Sequence, residues 1–183
     1  MTRTFTSLAV RNYRYYFTGA LISNIGTWMG RTALSWLVLV ELTGGSASAL
    51  GMVTAVMFAP GLVLAPMAGS VADRFPKRKI LLITQTIMGI DAMVLATLVL
   101  TGQIELWMVY ALAFCDGLAF SFDNPARQSF VSEVVPAGNL PNAIGLNSAS
   151  FNTARLIGPG VAGILIALLG TGAVLLVNSL AYL

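Results

Sequence analysis

The stretch GSVADRFPKRK, residues 69–79, puts one acid and four bases (Asp73, Arg74, Lys77, Arg78 and Lys79) into seven positions of a 183-residue chain in which only 9% of residues are charged and 57% are hydrophobic. Long apolar runs flank it, and the mean hydropathy of +0.83 lies far outside the range of soluble globular chains. A membrane-spanning helix needs about 20 mostly apolar residues, because hydrocarbon cannot satisfy exposed backbone polar groups. Several runs meet that length, so the sequence reads as an all-α, polytopic membrane helix bundle, and residues 69–79 as a joint between two spans.

Working outward from this joint, apolar length with Gly, Pro and charge clusters as breaks predicts a cytoplasmic N-terminal segment at 1–14. A transmembrane bundle follows over 15–183, with spans at about 15–41, 48–72, 80–101, 105–125, 142–168 and from 172 onward. The sixth span has only TGAVLLVNSLAYL, too short to cross at 1.5 Å per residue, which predicts a span cut short within a longer protein. Alternating joints place Arg3, Arg11, Arg14, the 74–79 bases and Arg127 on one side, and Glu41 and Glu105 on the other. The positive-inside rule then puts the N terminus in the cytoplasm of a multi-pass protein of the cell (inner) membrane, with YRYYF at 13–17 as an interfacial aromatic belt.

Composition also excludes. The net charge of +3 follows the cytoplasmic joints, so nucleic acid is not an expected partner. With no histidine, His-based metal sites and Ser-His or Cys-His catalysis fall away, and neither a metal nor a cofactor is expected. The single cysteine, Cys115, lies in an apolar run and reads as a packing residue. An intramembrane enzyme would need a nucleophile with its base or a recognisable pair of aspartates, and only the similar depth of Asp91 and Asp116 keeps that reading open.

Orientation explains the four bases but not Asp73, nor Gly69 one turn before it. Here the chain resembles the major facilitator superfamily, whose signature between spans two and three is Gly, three residues, Asp-Arg and a basic cluster. Gly69, Asp73, Arg74, Arg78 and Lys79 match it, while Pro76 stands where the signature usually has Gly. A second match lies in the fifth span, where Gly145, Ala154, Gly158, Pro159, Ala162 and Gly163 keep the spacing of the antiporter branches, with two glycines replaced by alanine. The fragment ALGM at 49–52 opens the second span much as AIGL at 143–146 opens the fifth, in keeping with inverted three-helix repeats. The resemblance implies the N-terminal six-span half of a twelve-span transporter, working by alternating access with the missing C-terminal half as its partner. The loop at 124–143, read as a cytoplasmic connection with a short surface helix, resembles exporters of macrolides and siderophores.

What the resemblance implies for residues is specific. Asp73 caps a helix of the opposite half, and Asp123, near the expected end of span four, pairs with Arg74 or Arg78, forming a conformational latch. An acid at a helix N terminus is worth about 0.3 to 1 kcal/mol when exposed and up to about 2 when partly buried, enough to bias a balanced equilibrium. Gly158-Pro159-Gly160 is expected to interrupt span five as a bend and packing seam.

Four ionisable residues lie inside the spans: Arg31, Asp91, Asp116 and Arg155, all roughly 15 to 20 Å deep by helical rise. Buried singly, each is costly, so pairing or a water-filled cavity is expected. Since spans one and four line the central path of this superfamily, Arg31 and Asp116 are the leading pair, with Asp91 on span three a structural partner. Asn24, Trp28, Arg31 and Ser35 share one face of span one, and Ser148, Asn152, Arg155 and Pro159 one face of span five. Asp116 is a carboxylate able to take up and release a proton. Drug/proton antiporters of the superfamily often carry an Arg on span four three residues before Gln-Gly, whereas this chain has Ala113 and Asp116-Gly117. That departure means the proton route of that branch does not carry over residue by residue, and it is the fifth-span match that implies proton-coupled export of amphipathic small molecules, with an importer of the same fold or a non-transporting membrane scaffold as alternatives.

Overall fold

The computed structural model describes residues 3–182, giving the side chains from Phe5 onward. The Arg3 side chain, expected on the cytoplasmic face, and Leu183 of the sixth span lie outside the described residues. A 3-10 segment, Arg3–Ala9, precedes α1 (Arg11–Trp36), which continues as a π-helical turn over Leu37–Leu42. Then come α2 (Ala47–Arg74), α3 (Lys77–Leu100), α4 (Leu106–Val134), a 3-10 turn at Ala137–Asn139, α5 (Leu140–Leu169) and α6 (Thr171–Leu180). No strand occurs among the described residues.

Helix boundaries follow from local chemistry. Gly44 and Gly45 turn the chain with φ of 58° and 111°, a region that side chains with a Cβ avoid. Ser46 then starts α2 by accepting the Ala49 N–H at 3.3 Å. Phe75, which precedes Pro76, is pushed to extended backbone (φ −109°, ψ 154°), so α2 stops at Arg74 and α3 restarts at Lys77. A single residue, Gly170 (φ 82°, ψ 165°), separates α5 from α6.

Four helices among the described residues are long and apolar enough to cross a membrane: α2, α3, α4 and α5 with its preceding turn. This is fewer than the six spans expected. Helix α1 has 26 residues, about 39 Å of rise, but Arg11, Asn12 and Arg14 in its first turns and Asn24 and Arg31 further on lower its apolarity. Helix α6 has 10 described residues. Helix α5 continues through Pro159, so Gly158-Pro159-Gly160 does not interrupt it. Helix α4 runs through Pro125 to Val134, so 124–134 continues α4 in place of the separate surface helix expected.

The main packing pairs are α1 with α5, α2 with α4, α1 with α6, α3 with α4, and α3 with α6. Exchanging the first three helices for the last three maps this set of pairs onto itself. Small residues set the closest approaches. A Cβ at Gly158 on α5 would lie 2.6 Å from Trp28 Cβ of α1, and one at Gly117 on α4 would collide with the Met57 carbonyl of α2. An apolar core forms where Leu37 and Val38 of the π turn meet Val53, Leu95, Ala96, Val109, Val174 and Leu175. A second cluster, around Tyr13, Val131 and Ala143, closes the other end.

At that end the expected aromatic belt is only partly a surface. Tyr15 is exposed, but Tyr13 is fully buried and donates its hydroxyl to the Ala143 carbonyl at 3.0 Å, because the 3-10 segment and α1 dock on the start of α5. Ser7 joins it there, its N–H donating to Asn142 Oδ1 at 3.0 Å and its hydroxyl to the Asn139 carbonyl at 2.9 Å. Cys115, expected to be packed, is exposed on α4.

Candidate functional site

Polar side chains on helices are spaced along faces, and packing decides which faces meet. Arg31 on α1, Asp91 on α3 and Asp116 on α4 converge on one small cavity of about 40 Å³, together with Thr27, Asn178 and Tyr182. Asp91 therefore joins the leading pair rather than standing apart from it. Helix α6 supplies Asn178, whose side chain lies against α1 where Gly26 and Gly30 leave room. The Tyr182 hydroxyl and Thr27 Oγ1 are 3.1 Å apart and share a hydrogen bond on the cavity wall.

Within this cavity, charge is near but not paired. Arg31 forms no ion pair among the described residues. Its guanidinium instead sits among three aromatic rings, with Cζ 4.8 Å from the centroid of Phe120, 5.3 Å from Trp28 and 5.4 Å from Phe58. Its Nε is buried without a hydrogen-bond partner, as are Trp28 Nε1 and Asn178 Oδ1. Such groups cost free energy unless something satisfies them, and two of the three, on Arg31 and Asn178, border the cavity.

The other expected pathway residues lie around this centre. Arg155, exposed on α5, has its Cζ 5.4 Å from the Trp28 ring and no ion-pair partner among the described residues. Trp28 also packs edge-on against Phe151 at 5.7 Å. Asn24 donates to Ser150 Oγ at 3.3 Å, and Asn152 bonds back to the Ser148 carbonyl at 2.8 Å. Asn24, Ser148, Phe151 and Asn152 line a larger cleft of about 590 Å³ with Asn124, Arg127 and Gln128.

Asp123 has a different partner from the one expected. It is buried, and it accepts from Thr84 Oγ1 and Gln85 Nε2 at 2.8 Å each and from Arg127 Nε at 3.0 Å. Arg127 follows it by one helical turn, so the pair closes within α4, and neither Arg74 nor Arg78 reaches it. The loop base that does reach α4 is Lys77, bonded to Glu133 at 2.8 Å. Asp73, Arg74, Arg78 and Lys79 are exposed without an ion pair among the described residues, and Gly69 faces open space. Of the fifth-span motif, Ala154, Gly158 and Ala162 form a buried seam at i, i+4 and i+8, with Gly158 against α1, whereas Gly145 and Gly163 face open space and Pro159 is half-buried.

Sequence reasoning missed Asn178, Thr84, Gln85, Glu133 and the pairing of Arg127. Two signals were available: a lone Asn in an apolar run facing a Gly-xxx-Gly step, and an Asp-Arg pair at i, i+4.

Residues 2–183 match the family described as transmembrane secretion effector. Among curated proteins, the chain is 26% identical over 170 residues to the staphyloferrin A transporter of Staphylococcus aureus, covering 92% of this chain and 42% of that protein. It is 26% identical to macrolide efflux protein A of Streptococcus pyogenes, covering 78% and 35%, and 29% identical to the multidrug efflux pump Tap of Mycolicibacterium fortuitum, covering 82% and 38%. The chain thus spans less than half the length of these relatives, which are transporters and not enzymes. With nearly its whole length inside that match, the chain belongs to the transmembrane secretion effector family of the major facilitator superfamily.

Proposed function

We propose that this chain is the N-terminal six-span half of a twelve-span secondary transporter that exports amphipathic small molecules in exchange for protons by alternating access. The observation that carries the reading is the cavity where Arg31, Asp91 and Asp116 meet inside an otherwise apolar bundle. Ionisable groups at such depth mark pathways in membrane proteins. Export is favoured by the efflux relatives and by the small-residue seam of α5 against α1.

In this reading Asp116 accepts a proton, Arg31 answers the change in its charge, and Asn24, Trp28, Asn152 and Arg155 line the substrate path. Asp73 caps a helix of the opposite half, while Lys77 and Glu133 tie α3 to α4 at the same end. Residues 1–14 lie in the cytoplasm, and the protein sits in the inner membrane.

The test is efflux of a fluorescent amphiphile from cells carrying the full-length protein, with the proton gradient intact or collapsed, comparing wild type with Asp116→Asn at equal membrane abundance. Gradient-dependent efflux in wild type, lost in the variant, is expected. Accumulation instead of efflux would make the protein an importer, and efflux unaffected by Asp116→Asn would remove the carboxylate from the coupling.

A further inference from the structure

The cavity at Arg31 carries more than a protonatable carboxylate. Neither Asp91 nor Asp116 has a hydrogen bond or ion pair among the described residues, although both line the same cavity. Two carboxyl groups face one guanidinium, so fully ionised they carry one negative charge more than it balances. The guanidinium itself leans on aromatic rings, with Phe120 nearest at 4.8 Å.

An independent observation comes from α6. Asn178 is only 7% exposed, lines this cavity, and its Oδ1 is buried with no hydrogen-bond partner. A proton on a carboxylate needs no neutral amide oxygen, but a hard cation needs several oxygens around it. The walls offer them from four helices: Thr27 on α1, Asp91 on α3, Asp116 on α4, and Asn178 and Tyr182 on or just beyond α6. Helix α2 contributes Met57 to the wall and no charge, and the next ionised pair along α4, Asp123 with Arg127, is neutral within itself.

Size and charge narrow the occupant. About 40 Å³ holds a small bare ion with a water but no organic cation. Among the described residues, no group of three or more His, Cys, Asp or Glu side chains stands together, so the donor set does not suit a divalent or transition metal. We infer that this cavity is a sodium-ion site, formed by Asp91, Asp116 and the Asn178 amide oxygen, in which Na⁺ and a proton compete for one negative charge. This rests on reading the cluster as the coupling site and names the second ion that it accepts.

The experiment is equilibrium binding of radiolabelled Na⁺ to the purified full-length protein, with choline holding the ionic strength, measured at neutral and at acidic pH. About one Na⁺ per chain is expected at neutral pH, displaced on acidification. Removing one oxygen donor in Asp91→Asn or Asn178→Ala should weaken binding roughly tenfold or more. Sodium retention no greater than in the choline control, or binding equal in wild type and in both variants, would overturn the inference. The wild-type measurement decides even where a variant fails to fold. Because no transported substrate is present, a protein that binds Na⁺ yet exports nothing would sink the export reading and leave this one standing.

Discussion

Asp116 and Asp123 stand seven residues apart on one face of α4, and their surroundings are opposite. Asp123 is 2% exposed and takes hydrogen bonds from Thr84, Gln85 and Arg127. Asp116 borders a cavity that also holds Asp91 and Arg31, with no hydrogen bond of its own among the described residues. The contrast separates two uses of a buried carboxylate. Where the protein supplies every partner, the charge fixes how helices pack; where it withholds them, as at Asp116, the proposed function leaves the carboxyl for an ion that comes and goes. The seams differ in the same sense. Gly117 on α4 and Gly158 on α5 let helices approach closely, whereas Gly145 and Gly163 of the fifth-span motif meet nothing within 4 Å.

The comparison can be broken by five substitutions, beginning with the largest expected effect. Asp123→Ala strands Arg127 and the Gln85 amide, and removing one partner of a buried pair should cost about 3 to 5 kcal/mol. Its check is a large fall in the apparent melting temperature of the purified protein and in membrane abundance. Gly117→Ala drives a methyl into the Met57 carbonyl between α4 and α2, with about 1 to 3 kcal/mol expected. Gly163→Ala, into open space, should change melting by almost nothing, and equal effects at the two glycines would refute the seam assignment. Lys77→Ala removes the contact to Glu133, whose side chain is 48% exposed, so a loss of only about 0.2 to 1 kcal/mol is expected, shrinking in high salt. Asp116→Asn should leave melting within about 0.5 kcal/mol of wild type, since no partner is stranded.

The sequence made the helical, membrane-embedded class legible, because apolar length and the one-sided placement of bases are properties of composition along the chain. It also brought Arg31, Asp91 and Asp116 to one depth through the 1.5 Å rise. What it hid depended on which neighbours a helix meets. Asn124-Pro125 looked like a break, yet α4 continues, and that continuation places Glu133 beside Lys77. The resemblance assigns Asp123 to the loop bases, although its partner lies one turn along its own helix. Asn178 carried no motif, and its role follows from Gly26 and Gly30 on another helix, which only packing reveals.

The central claim is that the unsatisfied carboxylate works while the satisfied one holds. The most direct measurement takes Asp116→Asn and Asp123→Asn in the full-length protein and records melting temperature and gradient-driven efflux for each. The account predicts normal melting with lost efflux for Asp116→Asn, and lowered melting for Asp123→Asn with efflux that scales with the surviving folded protein. Lost melting stability in Asp116→Asn together with undiminished efflux per folded molecule would contradict it.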